Sequence, residues 1–377
     1  MKLKNTLQGF WNGSIKQITT ENGIITEIGD KGHVSLTGSR LIETSGILLP
    51  GFIDIHVHGG GGADTMDASE EAFEQIAITH AKHGTTALLL TTITESEENI
   101  EKALSAYRPH RRLRGAEIIG FHLEGPFIHA NKAGAQPKEY IQAPNVATLT
   151  KWMKVANGTI RYITIAPDAP GAEELIRSAR KMGLVVSAGH TSATYEQANH
   201  AFLWGVQSVT HLFNAMSGLH HRDPGLVGAA FNDPNVYVEM IADKVHVHEA
   251  VMKIAWNIKG KDKVMLITDA IRAACMPEGK TYTLGHQLVT VVNGTARLKD
   301  GTIAGSVLTL DRAVSNLIHS GIIQVQDVIP ITSANQSKLL SLPYGRIEIG
   351  APANIIAVDD NWNVTHTFVR GDLVYRR

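Results

Sequence analysis

Between Gly51 and about Gly321 the sequence alternates short apolar runs with longer stretches of helical character. This rhythm constrains the fold more than any other feature. The apolar runs are FIDIHV, TALLLTT, EIIGFHLE, YITIAP, LVVSAGH, SVTHLF, VYVEMIAD and VMLITDA. Strands that alternate with helices pair in parallel through crossover connections. Eight such units close into a (β/α)8 TIM-type barrel, which takes about 250 residues. The first stretch of the chain is different, with short strands broken by Asn-Gly and Gly-Asp turns, and the tail GRIEIGAPANIIAVDDNWNVTHTFVRGDLVY returns to that pattern. The fold class is therefore α/β: a barrel over residues 51–345 and a small discontinuous β-sandwich domain built from residues 1–50 and 346–377. After the eighth run, TYTLGHQLVTVVNGTARLKDGTIAGS has an Asn-Gly turn between alternating residues and reads as an inserted hairpin.

Charge and cysteine content exclude several function classes. A formal net charge of -1 leaves no broad electrostatic footprint for nucleic acid or an anionic membrane, so any anion site is local. Cys275 is the only cysteine, which rules out an intrachain disulfide framework and suits a reducing compartment. No run approaches the ~18 apolar residues of a membrane span, and the N-terminus lacks the apolar core of a signal peptide. The expected location is cytoplasmic, with neither nucleic acid nor membrane as partner.

Polar residues at the ends of the strands carry the chemistry. His56 and His58 end the first strand, Glu124 the third, His190 the fifth, His211 the sixth and Asp269 the eighth, and His246 follows the seventh. In such barrels the carboxyl ends of the strands form the site. Alternation sends His56 and His58 to the same side. Imidazoles and carboxylates are ligands for zinc, iron and related divalent ions, and four histidines with Glu124 suffice for two ions that share one carboxylate. The glycines after His58 would let the backbone pass close to metal or substrate. A single strand-end histidine is usually structural, so the argument rests on the coincidence of several. His80 and His83 read as surface or packing residues, His248 as the start of the next helix, and His220 and His221 are left without a role. Cys275 reads as incidental, because no partner base is marked in the sequence.

The segments PGFIDIHVHGGGGADTMD, HLEGPFI, KAGAQP, SAGHT, THLFNAM, RDPGLVGAA, DKVHV, ITDA and TIAGS, in this order, resemble the N-acetylglucosamine-6-phosphate deacetylases of the amidohydrolase superfamily. The resemblance spans nearly the whole chain. It implies a metal-dependent barrel enzyme, usually a homodimer, that removes acetate from a phosphosugar. By match to the family's motifs, Glu124, His190 and His211 would hold a divalent metal and Asp269 would be the catalytic acid/base. Ala135, Gln136, Asn214, Ala215, Arg222, His246 and the backbone of Ile303, Ala304 and Gly305 would contact substrate. Arg222 would read the phosphate, from its own or the neighbouring subunit. Some relatives replace the first HxH and hold one ion. His56 and His58 are intact here, which favours two ions per chain. Some relatives carry histidine where this chain has Gln136, which can donate a hydrogen bond but cannot be a cation. A different amide substrate, cyclic or dipeptide, and a non-catalytic scaffold are the competing readings, and the scaffold reading expects missing ligands.

Overall fold

The computed structural model describes residues 4–109 and 111–377. Eight parallel strands form one sheet in chain order: Phe52–Val57, Thr85–Thr91, Glu117–Glu124, Ile160–Ile165, Val185–Ala188, Ser208–Val209, Tyr237–Ile241 and Val264–Ile267. The eighth meets the first, since Val57 bridges Ala270 in parallel and the Asp269 N–H donates to the His56 carbonyl at 2.9 Å. The strand residues are almost all buried, as expected for a parallel sheet covered on both faces.

The outer helices carry one apolar stripe each. In Ala172–Lys181 the buried residues are Ala172, Leu175, Ile176 and Ala179, the spacing of a helix face packed on a sheet. Ser69, Ser96 and Thr194 each accept a backbone N–H at the start of the helix that follows, supplying a partner for an otherwise orphan donor.

A second sheet of seven strands joins both ends of the chain. The tail strand Ile355–Val358 runs antiparallel to residues 47–50, and the Ile25 N–H donates to the Ala351 carbonyl at 2.9 Å. The sheet encloses its own core of Leu7, Ile18, Ile25, Leu48, Ile355 and Phe368, separate from the barrel core. Among the described residues no helix is long and apolar enough to cross a membrane.

Two local expectations need correction. The sixth strand is Ser208–Val209 only, because the chain then enters turns in which His211, Phe213 and Ala215 take positive φ, so His211 lies beyond the strand. The inserted segment is a sheet of three strands, Thr281–Leu284, Gln287–Val292 and Thr295–Arg297, with a turn at Gly285 and His286 besides the one at Asn293 and Gly294.

Candidate metal and substrate site

Two groups of ligand-type side chains meet at the carboxyl ends of the strands: His56, His58 and Asp269, and Glu124, His190 and His211. Glu124 is central to both. Its Oε1 lies 3.2 Å from His190 Nε2, 3.1 Å from His211 Nε2 and 3.4 Å from His56 Nε2, and its Oε2 lies 3.2 Å from His58 Nε2. Asp269 Oδ1 lies 3.2 Å from His58 Nε2 and 3.4 Å from His56 Nε2. All six are buried, Asp269 being the most exposed at 8%.

Backbone geometry aims three of them. His190, His211 and Asp269 have φ of 47°, 32° and 49°, a left-handed conformation that costs of order 1–3 kcal/mol at a non-glycine residue and persists only where the surroundings over-determine it. The surroundings do so. The His211 N–H donates to Glu239 Oε2 at 3.2 Å, the His190 carbonyl accepts from His129 N–H at 2.8 Å, and the Asp269 carbonyl accepts from Ser306 N–H at 2.7 Å.

The far ring nitrogens are secured unevenly. His56 Nδ1 lies 3.1 Å from Glu239 Oε2, and the other oxygen of Glu239 accepts the Tyr162 hydroxyl at 2.6 Å. His190 Nδ1 lies 2.8 Å from the Lys132 carbonyl, so that nitrogen donates and Nε2 is left to face Glu124. Among the described residues the Nδ1 atoms of His58 and His211 have no partner. Glu239 was missed in the sequence, although a lone acid inside the apolar run VYVEMIAD is the kind of signal that could have found it.

The donor set fits divalent metal. His56 Nε2 is buried without a hydrogen-bond partner and points at the two carboxylates. His190 Nε2 and His211 Nε2 are 3.1 Å apart, close to the roughly 3.3 Å separating two ligands bonded at ~2.0 Å to one tetrahedral ion. Charge balance points the same way. Burial opposes ionisation of Glu124, but His56 and His190 outweigh it and hold the carboxyl well below its ordinary range. Burial also opposes charge on His58, yet hydrogen bonds to Asp269 and Glu124 push it up to about 9. For Asp269, too, burial is outweighed by His56 and His58, and its carboxyl is lowered. Protons on the imidazoles thus do what a bound cation does when it displaces them.

A cavity of about 270 Å³ opens above the cluster. Its lining includes His58, Glu124, His190, His211 and Asp269 together with Ala135, Gln136, Asn214, Ala215, His246, Ile303 and Gly305. Ala304 is fully buried behind the wall. His246 is fixed by Asp243, whose Oδ2 lies 2.6 Å from Nδ1; burial works against charge on His246, and the bond to Asp243 outweighs it and raises the ring. Gln136 has both ends of its amide engaged: Nε2 donates to Glu124 Oε2 at 2.6 Å and Oε1 accepts the Thr94 N–H at 2.7 Å. Arg222 is exposed and outside the cavity lining of its own chain, its guanidinium 2.6 Å from His221 Nε2.

The glycine run has a different cause from the one expected. A Cβ at Gly59 would come within 2.4 Å of the Ala63 carbonyl and 2.7 Å of the Arg272 nitrogen, and one at Gly60 within 2.8 Å of His80 Nε2. The glycines let this loop pack on the loop after the eighth strand and on the first helix, and none lines the cavity. His80 is a packing residue, fully buried with Nε2 donating to the Gly59 carbonyl at 2.9 Å. His248 caps the helix Glu249–Lys259, as its position suggested.

Residues 47–374 match the amidohydrolase family. The chain is 38% identical over 357 residues to an N-acetylglucosamine-6-phosphate deacetylase of Lysinibacillus sphaericus, covering 93% of this chain and 91% of that one. It is 35% identical over 331 residues to an N-acetylgalactosamine-6-phosphate deacetylase of Escherichia coli O157:H7, covering 87% of each. A solved structure of the N-acetyl-D-glucosamine-6-phosphate deacetylase of Mycobacterium smegmatis, an aspartate-to-alanine variant in complex with N-acetyl-D-glucosamine-6-phosphate, superposes with a TM-score of 0.90 at 29% identity and covers 99% of both chains.

Proposed function

The chain belongs to the amidohydrolase family, and we propose that it hydrolyses the acetamide of N-acetyl-D-glucosamine 6-phosphate to D-glucosamine 6-phosphate and acetate, a step of amino-sugar catabolism. The observation that carries this reading is the convergence of four imidazoles and two carboxylates at the base of one cavity, all but the fully buried His56 lining it, in a chain so similar to deacetylases of this substrate.

Glu124, His190 and His211 would hold one divalent ion and His56 and His58 a second, with Glu124 shared. Zinc or iron suits these donors. Bound there, the cations supply polarisation of the acetamide carbonyl and acidify the attacking water. The protein's own groups do the rest. Asp269, at the edge of the cluster and open to the cavity, takes the proton from the water and returns it to the departing amine, a contribution of about 10² to 10⁴-fold. His246, its Nδ1 committed to Asp243, turns Nε2 to the carbonyl oxygen. Gln136 fixes the second oxygen of Glu124. The backbone of Asn214, Ala215, Ile303 and Gly305 borders the sugar. Arg222 binds the 6-phosphate of the substrate in the neighbouring subunit of a homodimer, which accounts for its position outside its own cavity. The all-β unit drawn from both termini we take as a separate domain that supports the barrel.

The E. coli relative named for the galactosamine substrate makes the C4 epimer the specific competing reading. Acetate release on both phosphosugars, with metal analysis of the same preparation, tests all of this. Turnover of the gluco substrate at least several-fold above the galacto substrate, with metal bound, is the expected result. Preference for the galacto epimer overturns the substrate assignment, and no acetate from either overturns the activity.

A further inference from the structure

Cys275, expected to be incidental, has a partner base after all. Its Sγ lies 3.3 Å from His83 Nε2, and His83 Nδ1 lies 3.0 Å from Asp311 Oδ2. The other oxygen of Asp311 accepts the Thr309 hydroxyl at 2.5 Å and the Arg312 N–H at 2.8 Å, so the carboxylate is locked in place. The three residues come from distant parts of the chain: the turn after the first helix, the loop after the eighth strand, and the start of the helix Leu310–His319. Sulfur, imidazole and an orienting carboxylate in this order are the arrangement that activates a thiol.

The cluster faces a cavity of about 340 Å³ that shares no lining residue with the metal site. Cys275 is exposed and His83 about one-third so, which gives a small reagent access to the sulfur. Arg312 and Asn361, both exposed, stand on the rim. Among the described residues no carboxylate pairs with the Arg312 guanidinium, so the rim favours an anionic visitor.

The charge state is set from all sides. Burial opposes the charge on His83, but the hydrogen bonds to Asp311 and Cys275 outweigh it and push the imidazole up to about 10. The other titratable neighbour, His80, is pushed down by burial to about 4 and stays neutral. Arg312 is the remaining charge, on the rim. His83 therefore stands as an imidazolium beside the sulfur at neutral pH, the environment that favours thiolate chemistry.

We propose that Cys275, His83 and Asp311 form a thiol-modification site, outside the metal centre, that takes up a small anionic disulfide by exchange. The Cys275 thiolate attacks one sulfur of the disulfide, the old S–S bond breaks, and its electron pair leaves on the departing thiolate. The product is a mixed disulfide on Cys275, reversed by excess thiol, and no outside oxidant is needed.

The test uses the native folded chain and the carboxylated aryl disulfide DTNB. Because the chain has one cysteine, every equivalent of thiolate released reports on Cys275. At pH ~6 the native protein should react about tenfold or more faster than the same chain unfolded in urea. Its rate should be nearly flat between pH ~6 and ~8, where an ordinary thiol of pKa about 8.5 climbs steeply. His83→Asn should lose about tenfold at pH ~6 and recover most of it near pH ~9, Asp311→Asn should lose less, and Cys275→Ser should take up nothing by mass spectrometry. A native rate no faster than that of the unfolded chain, a native pH profile like that of a free thiol, or a folded His83→Asn with an unchanged profile overturns the proposal. Should His83→Asn not fold, the native pH profile decides alone. A disulfide-linked dimer in place of the mixed disulfide also counts against it.

Discussion

The floor of the cavity and the segment proposed to read the phosphate are built in opposite ways. On the floor, His56, His58, Glu124, His190, His211 and Asp269 are all buried, and their positions are enforced by supporting groups: Glu239 and Tyr162 behind His56, the Lys132 carbonyl behind His190, and Gln136 on Glu124. Arg222 is exposed, in the polar segment HHRDPG, and among the described residues its guanidinium meets only the neighbouring His221 ring. Water activation and proton transfer need groups held within about 0.5 Å. Reading a phosphate needs a charge that arrives, and a flexible fork does this well. The difference predicts which substitutions will be severe and of what kind.

The largest effect belongs to the floor. Asp269→Asn keeps the side chain's size and removes the basic oxygen, so turnover should fall by about 10² to 10⁴-fold while the fold and most of the bound metal survive. Near-normal turnover in this variant, measured with metal content determined in parallel, would remove Asp269 from the proton path and leave the floor without its distinguishing group.

Arg222→Ala tests the other side of the comparison. Loss of a hydrogen-bonded ion pair to phosphate costs roughly 1.5 to 3 kcal/mol, or about ten- to a hundredfold in kcat/KM. The loss should fall on the phosphosugar alone, with unphosphorylated N-acetylglucosamine handled equally by both proteins. If the arginine acts across a dimer, diluting the parent enzyme to monomers should reproduce the defect. Equal losses on both sugars would mean that Arg222 supports the site in general and reads no phosphate.

The same contrast governs what could be read from the sequence. The convergence of the candidate ligands was legible because each stands at or just after the end of a short apolar run, and strand order then brings the run ends to one face. The conformation at His190, His211 and Asp269 was not, since neither histidine nor aspartate announces a left-handed φ and the contacts that impose it come from Glu239, His129 and Ser306. The shortened sixth strand was misjudged for that reason. The glycines after His58 were recognised as a close approach but not against what, because Arg272 and His80 are neighbours only in the folded chain. The pairing of Cys275 with His83, 192 residues apart, was hidden in the same way. Arg222 was singled out through resemblance to a family and as a guanidinium fork in the polar loop HHRDPG of a nearly neutral chain; its surroundings in a single chain carry no comparable signal.

The smallest expected effect sharpens the comparison within the floor itself. Glu239 is fully buried and accepts the Tyr162 hydroxyl on one oxygen, while the other lies beside His56 Nδ1 and takes the His211 N–H. A carboxylate behind a metal-binding imidazole fixes its ring and raises its basicity, and loss of such support costs about 10- to 100-fold in metal affinity or activity. Glu239→Gln keeps the shape and an acceptor for Tyr162 but removes the charge, which puts the expected loss near the low end, about tenfold. It should fall on the ion held by His56 and His58. The ion at Glu124, His190 and His211 should be retained, since the contact from Glu239 to that group is to the His211 backbone and the His190 ring is fixed from Lys132. Metal content after dialysis against graded chelator separates the two. The parent should lose its ions in two steps, and the variant should lose the weaker one at about one-tenth the chelator strength. A variant that lost both ions together would show the floor to be one indivisible unit, and one indistinguishable from the parent would show that His56 is held by its strand alone.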